Sequence, residues 1–219
     1  MNTRKLLVSG LMLVSVLLSA CAPPAMATQA PTSLPPTALP PTAVPTIAST
    51  NLTTFHSPEN ASFRLPLAFT HGPEWDVHIG VNALDIVQDN SWGLSIFLVN
   101  GAKVADPKDM AKTIPWPDDF FGYFASLPGV KVIQGPDPIT VGDVVGSQII
   151  VHVTSFGPFL WLQNDYTWIG NQASDEKWQM ILLDVNGEQV LLWFPDFPDK
   201  FDERYPLVQE IFNSITFGK

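Results

Sequence analysis

The rhythm of apolar and polar positions changes twice along this chain. Leu6 to Leu18 are apolar except for Ser9, Gly10 and Ser15, behind the positive pair Arg4 and Lys5. From 22 to 50 there is no period of either helix or strand. From about residue 54 onward, short apolar runs recur between Gly, Pro, Asn and Asp, a pattern that predicts strands and short helices.

The clearest prediction lies near the end. Trp178 to Val185 and Glu188 to Phe194 are apolar runs on either side of Asn186-Gly187. Asn-Gly between two such runs predicts a hairpin, because a type I′ turn needs two residues at positive φ. Pairing Val185 with Glu188 sets Leu183 against Val190 and Leu182 against Leu191. Both hairpin faces are then apolar, so it belongs mid-sheet, covered on both sides or folded into a barrel-like curl. A second hairpin is predicted around Gln163-Asn164-Asp165. Further strands are predicted over 130–134, 147–154 and 94–99, with a less marked one over 83–87.

Helices are fewer. Asp106 with Pro107 predicts a short helix, capped by the aspartate. Asp118 predicts another, with Phe120, Phe121, Phe124 and Leu127 on one face and Pro128-Gly129 ending it. A closing helix is expected over about 202–213, with Tyr205, Val208, Ile211 and Phe212 as its apolar stripe and Pro206 in its first turn. The expected class is α+β, an antiparallel sheet with a few packed helices.

The N-terminal apolar run is shorter than the roughly 20 residues of a membrane span. With its positive start and small residues at Ser19 and Ala20, it reads as a secretory signal peptide over 1–20. Leu18-Ser19-Ala20-Cys21 resembles the lipobox of bacterial lipoproteins. The resemblance implies cleavage before Cys21, a diacylglycerol thioether on it and acylation of the new N-terminus. The alternative is a plain signal peptide with a chance cysteine. Cys21 is the single Cys of the chain, so disulfides and cysteine-built zinc sites are excluded. Two or more acyl chains hold a protein stably at a membrane. The expected location is the cell envelope, outside the cytoplasm, with the membrane as partner through Cys21.

Composition sharpens this layout. Residues 22–50 hold 8 Pro, 7 Ala and 6 Thr, and no Asp, Glu, Lys or Arg occurs from Ala22 through Pro58. Such a segment buries no core and favours extended polyproline II, so 21–53 is expected to be a stalk. At about 3.1 Å per residue it reaches up to roughly 90 Å. All 24 aromatic residues lie at Phe55 or later, so one folded domain is expected over 54–219. Lys+Arg 11 against Asp+Glu 21 gives a net charge of −10, and removing Arg4 and Lys5 with the signal leaves −12. That acidity argues against nucleic acid as a partner.

Three landmarks stand in the body: Phe63-Arg-Leu-Pro-Leu-Ala-Phe69 followed by Trp75; Val130-Lys-Val-Ile133 followed by Pro138-Ile-Thr-Val-Gly142; and Leu207 to Phe217. Together they resemble exported proteins of chloroflexi and actinobacteria with a Mog1/PsbP-like core. The resemblance implies an antiparallel sheet with packed helices and no particular chemistry.

No HExxH, GxSxG, P-loop, GxGxxG or CxxC motif is present. Of His56, His71, His78 and His152, His78 shares a strand face with Asp76, with Asp85 close in sequence. That pair suits base or metal chemistry, but loop and strand-end polarity explains it more simply. His152, between Val151 and Val153, reads as a half-buried, satisfied histidine. Asp196, Asp199, Asp202 and Glu203 offer oxygens for Ca²⁺, against the simpler reading that Asp199 or Asp202 caps the last helix. Trp161, Trp168, Trp178 and Trp193 all fall in the predicted meander. They either build a large aromatic core, the reading preferred here, or line a pocket for a lipid or sugar, or a protein-binding surface. The expectation is a binding or accessory lipoprotein that is not an enzyme and carries no cofactor. The alternatives are a carrier of a hydrophobic ligand and an envelope hydrolase with a motif-free site.

Overall fold

The structure is a computed structural model that describes residues 51–58, 62–89, 91–154, 157–161, 168–171 and 175–218, the segments 157–161 and 168–171 by their backbone alone. All described residues belong to the compact unit Val44–Lys219. The segments expected to be signal, lipidated cysteine and stalk (through residue 50) lie outside the described residues.

The elements run β1 (Thr53–His56), β2 (Leu67–His71), β3 (Trp75–Ile79), β4 (Ala83–Gln88), β5 (Trp92–Leu98), β6 (Lys103–Asp106), β7 (Asp109–Pro115) and α1 (Phe120–Ala125). They continue as β8 (Val130–Val141), β9 (Val144–Val153), β10 (Gly157–Trp161), β11 (Trp168–Asn171), β12 (Glu176–Val185), β13 (Glu188–Asp196), α2 (Pro198–Ser214) and β14 (Thr216–Phe217). Seven strands form the main sheet in the order β3-β4-β5-β13-β12-β9-β8, with every neighbouring pair antiparallel. Two smaller sheets have the orders β11-β10-β6-β7 and β1-β2-β14.

The Asn186-Gly187 hairpin sits mid-sheet as its two apolar faces require. Its register sets Val185 against Glu188, Leu183 against Val190 and Leu182 against Leu191. Asn186 and Gly187 have φ of 56° and 87°, the left-handed pair of a type I′ turn. One face carries Ile181, Leu183, Leu192 and Phe194 into a core shared with Phe201, Val208 and Ile211 of α2. The other carries Trp178, Met180 and Leu191 into a second core with Phe120, Phe121 and Phe124 of α1. A sheet covered on both sides explains why its central strands read as unbroken apolar runs.

Three helix expectations change. Asp106 caps no helix: its Oδ1 accepts from the Lys108 N–H, and Asp109 Oδ1 accepts from the Ala111 N–H, making a tight turn between β6 and β7. Val104 and Ile114 then pair across the two strands, which outweighs the local helix signal. Asp119, not Asp118, caps α1, accepting from the Gly122 N–H at 2.9 Å. The closing helix begins at Pro198, where a proline at the first helical position loses no hydrogen bond. Pro206 therefore lies inside the helix and not in its first turn, and Phe197 precedes it with no side-chain cap.

The second predicted hairpin pairs as β10 with β11, Trp161 opposite Trp168; its loop lies outside the described residues. Among the described residues, no helix is long and apolar enough to cross a membrane.

Candidate functional site

Where β13 hands over to α2, the chain builds a cleft of about 260 Å³ against the start of β5. The strand ends at Pro195-Asp196, and the turn at Phe197 starts the helix. Asp196 is buried there, its side chain 3% exposed. Its Oδ1 accepts from the Phe197 N–H at 2.8 Å, and both its oxygens accept from Nη1 of Arg204 at 3.0 Å. Arg204 stands two turns along α2, and its guanidinium lies 4.4 Å from the centre of the Trp92 ring. Trp92 is itself held edge-on to Trp75, with ring centres 4.9 Å apart. The arginine is thus fixed by a carboxylate on one side and an aromatic face on the other. Among the described residues, neither its Nε nor its Nη2 has a hydrogen-bond partner.

Ser91, Gly93, Glu176, Trp193, Pro195 and Phe197 complete the walls. Glu176 Oε2 accepts from Nε1 of Trp178 at 2.7 Å. Phe197 is 53% exposed, the one aromatic among the exposed large apolar side chains of the described residues. The cleft therefore offers an aromatic face, fixed N–H donors, carboxylate acceptors and the Ser91 hydroxyl, which donates to the Gln88 carbonyl at 3.3 Å.

The sequence-predicted residues scatter around this cleft. Trp178 is wholly buried, edge-on to Trp193 at 5.2 Å and 5.7 Å from Phe124, inside the second core and not on a cleft wall. Trp193 is half-buried and lines the cleft, and its indole N–H is buried without a hydrogen-bond partner among the described residues. Trp161 and Trp168 are register partners at one end of the β10–β11 pair, and Trp161 also pairs with Lys103 of β6. Their side chains lie outside what the structure describes.

The acidic run does not converge. Asp196 is taken by Arg204, Asp202 by Lys177 at 2.6 Å and Glu203 by Lys200 at 3.1 Å, while Asp199 stands in the first turn of α2. Among the described residues, no three metal-ligating side chains gather.

Asp76 and His78 are exposed on one face of β3, and among the described residues no hydrogen bond joins them. His78 pairs in register with Asp85, but Asp85 is engaged by the Ser95 hydroxyl at 2.5 Å. His152 is half-exposed and pairs with Asp175, in a row between Lys131 and Lys177. His71 makes a 2.9 Å contact with the Gly72 carbonyl, and His56 is exposed. Burial pushes the Tyr205 phenol above its ordinary range; burial and the nearby Asp106 do the same to Tyr123. Sequence reasoning missed Arg204. Its only signal was an arginine eight positions after a strand-ending aspartate, which has meaning only once the helix start at Pro198 is known.

No family model matches the chain, and no curated protein matches it. Solved structures similar to it include the following two. One is LpqN, involved in cell envelope biogenesis of Mycobacterium tuberculosis, at 14% identity, over 77% of this chain and 91% of that one, with a TM-score of 0.44. The other is the cyanobacterial PsbP (CyanoP) of Synechocystis sp. PCC 6803, at 8% identity, over 81% of this chain and 98% of that one, with a TM-score of 0.45. Likeness at this level assigns no chemistry to the chain.

Proposed function

We propose that this chain is an exported lipoprotein of the cell envelope, whose body binds a ligand or partner without catalysis. The observation that carries this reading is the place of the single cysteine. Cys21 follows Leu18-Ser19-Ala20 at the end of an apolar run with a positive start, and an uncharged Pro/Thr/Ala segment follows it. A free thiol exposed outside the cell would be open to oxidation, whereas an acylated one anchors the stalk. The landmarks that resemble Mog1/PsbP-like proteins serve the body as core: Phe63, Leu65, Leu67 and Phe69 are all buried against α2 and its neighbours. The cleft at Arg204 supports a binding role, because its arginine is held by Asp196 and Trp92 and its Ser91 hydroxyl donates to the Gln88 carbonyl and not to a base.

The test is expression of the full chain in a bacterium, followed by membrane fractionation and mass analysis of the N-terminal peptide. Cleavage before Cys21 with acyl mass on it is expected, and Cys21→Ser should abolish the modification and release the chain from the membrane fraction. Cleavage at another bond with an unmodified thiol at Cys21 would overturn the anchor. Turnover of an envelope substrate that is lost in His78→Ala or Asp76→Asn would overturn the non-catalytic reading.

A further inference from the structure

We infer that the cleft between β5, β13 and α2 is a binding site for a neutral saccharide. This rests on reading the body as a ligand-binding domain and names the class of ligand. Arg204 supplies the first reason. Its Nη1 is committed to Asp196 and its face to Trp92, so its Nε and Nη2 hydrogens are presented on a side chain that is already ordered. A ligand that accepts from them has little arginine freedom left to freeze.

Glu176 supplies the second. It puts a carboxylate on the same cleft as those donors, held in place by the Trp178 indole N–H that donates to its Oε2. A hydroxyl both donates and accepts, so one polyol ring can use Arg204 and Glu176 together. Phe197 supplies the third, a ring 53% exposed on which the C–H face of a sugar can lie.

Charge and size exclude the competitors. Glu176 and Asp196 against Arg204 leave the cleft one negative charge in a chain of net −10, which disfavours phosphate and carboxylate ligands. A cationic ligand finds the Trp92 face already covered by Arg204. A lipid tail needs an apolar cavity, and these walls carry two carboxylates and a guanidinium. At about 260 Å³ the cleft lies just under the range of drug-sized sites. It therefore suits one or two rings at the end of a glycan chain.

The test uses the full chain purified from bacterial membranes in a detergent without a sugar headgroup. Calorimetric titration is run with maltotriose, mannotriose, galactotriose and chitotriose, and with trigalacturonate as the acidic control. At least one neutral trisaccharide is expected to bind with a Kd of about 1 mM or tighter. Phe197→Ala should weaken it about tenfold while leaving the melting temperature in place, since that ring is mostly exposed. Glu176→Gln should weaken it as well. The site is overturned if no neutral trisaccharide binds up to about 10 mM, if the acidic one binds tightest, or if Phe197→Ala binds as the parent does. Acylation of Cys21 is read by mass on the same preparation. An acylated chain without saccharide binding would overturn this site alone, and a binding chain without acylation would overturn the anchor alone.

Discussion

Arg204 lies with its guanidinium 4.4 Å from the centre of the Trp92 ring, and that contact joins the second turn of α2 to the first residue of β5. Asp196, the last residue of β13, closes the link by accepting from the same arginine at 3.0 Å. The consecutive β13 and α2 thus meet β5, about a hundred residues earlier in the chain, through one side chain. That side chain also faces the cleft, so the group that braces the fold is the group that presents donors to a ligand.

Removing only the arginine should be costly. Arg204→Met leaves the Asp196 carboxylate buried without its counter-ion, a loss of about 3 kcal/mol when one partner of a buried pair is deleted. Replacing both partners, Asp196→Asn with Arg204→Met, should recover most of that loss, because no buried charge remains and the new amide still accepts from the Phe197 N–H. Urea unfolding of the three proteins measures the contrast. Equal stability of single and double variants would show that the ion pair is not what holds this corner.

The sequence foretold the β12–β13 hairpin down to its register, because Asn186-Gly187 and two apolar runs leave little choice. It left two ways to shelter both faces, cover on both sides or a barrel-like curl, since Leu182 and Leu183 cannot both point to water; the two cores show the first. It was misleading at Asp106 and at the start of α2, where a local helix signal competes with partners far along the chain. Val104 pairing with Ile114 decided the first, and Pro198 at the helix start decided the second. The Arg204 cleft was not legible, because Trp92, Glu176, Asp196 and Arg204 are joined only by the strand order β5-β13-β12. Trp178 and Trp193, two of the four tryptophans singled out, were separated by burial, which alternation along a doubly covered sheet cannot rank.

Two glycines should respond differently to an added methyl group. At Gly187 a Cβ would meet nothing within 4 Å, so Gly187→Ala pays only for its φ of 87°, about 1 kcal/mol. At Gly146 a Cβ would lie 2.3 Å from the Leu182 carbonyl oxygen and 2.5 Å from Leu183 Cδ2. Since that backbone oxygen is fixed in the β9–β12 pairing, Gly146→Ala should cost more, about 2–3 kcal/mol of strain. Thermal unfolding of both variants checks the order; a Gly187→Ala loss as large as that of Gly146→Ala would contradict it.

Trp178 and Trp193 should also separate. Trp178→Phe removes a donor to Glu176 and leaves a gap in a fully buried position, so a loss of about 2–3 kcal/mol is expected. Trp193→Phe removes an indole N–H that is buried without a partner among the described residues, and so relieves an unmet hydrogen bond while giving up some packing. It should cost less than about 1 kcal/mol. Urea midpoints decide this, and a Trp193→Phe loss equal to that of Trp178→Phe would mean its N–H is satisfied in solution.

Alkaline stability should report on Tyr123. Its hydroxyl donates to the Ala105 carbonyl at 2.7 Å, and burial with the nearby Asp106 raises its pKa above the ordinary 10.0. The folded protein therefore holds this proton more tightly than the unfolded chain. Below the ordinary value both states are protonated and stability is flat with pH. Above it the unfolded chain releases the proton while the folded one retains it, so stability falls as pH rises. Tyr205, raised by burial, adds to the same slope. The melting temperature should hold from about pH 8 to 9 and decline beyond about 10. Tyr123→Phe should start lower at neutral pH, having lost one hydrogen bond of about 1 kcal/mol, yet decline less steeply. The substitution leaves every other side chain in place, so the difference between the two curves isolates the tyrosine. Parallel curves would mean that Tyr123 ionises as readily in the fold as in the open chain.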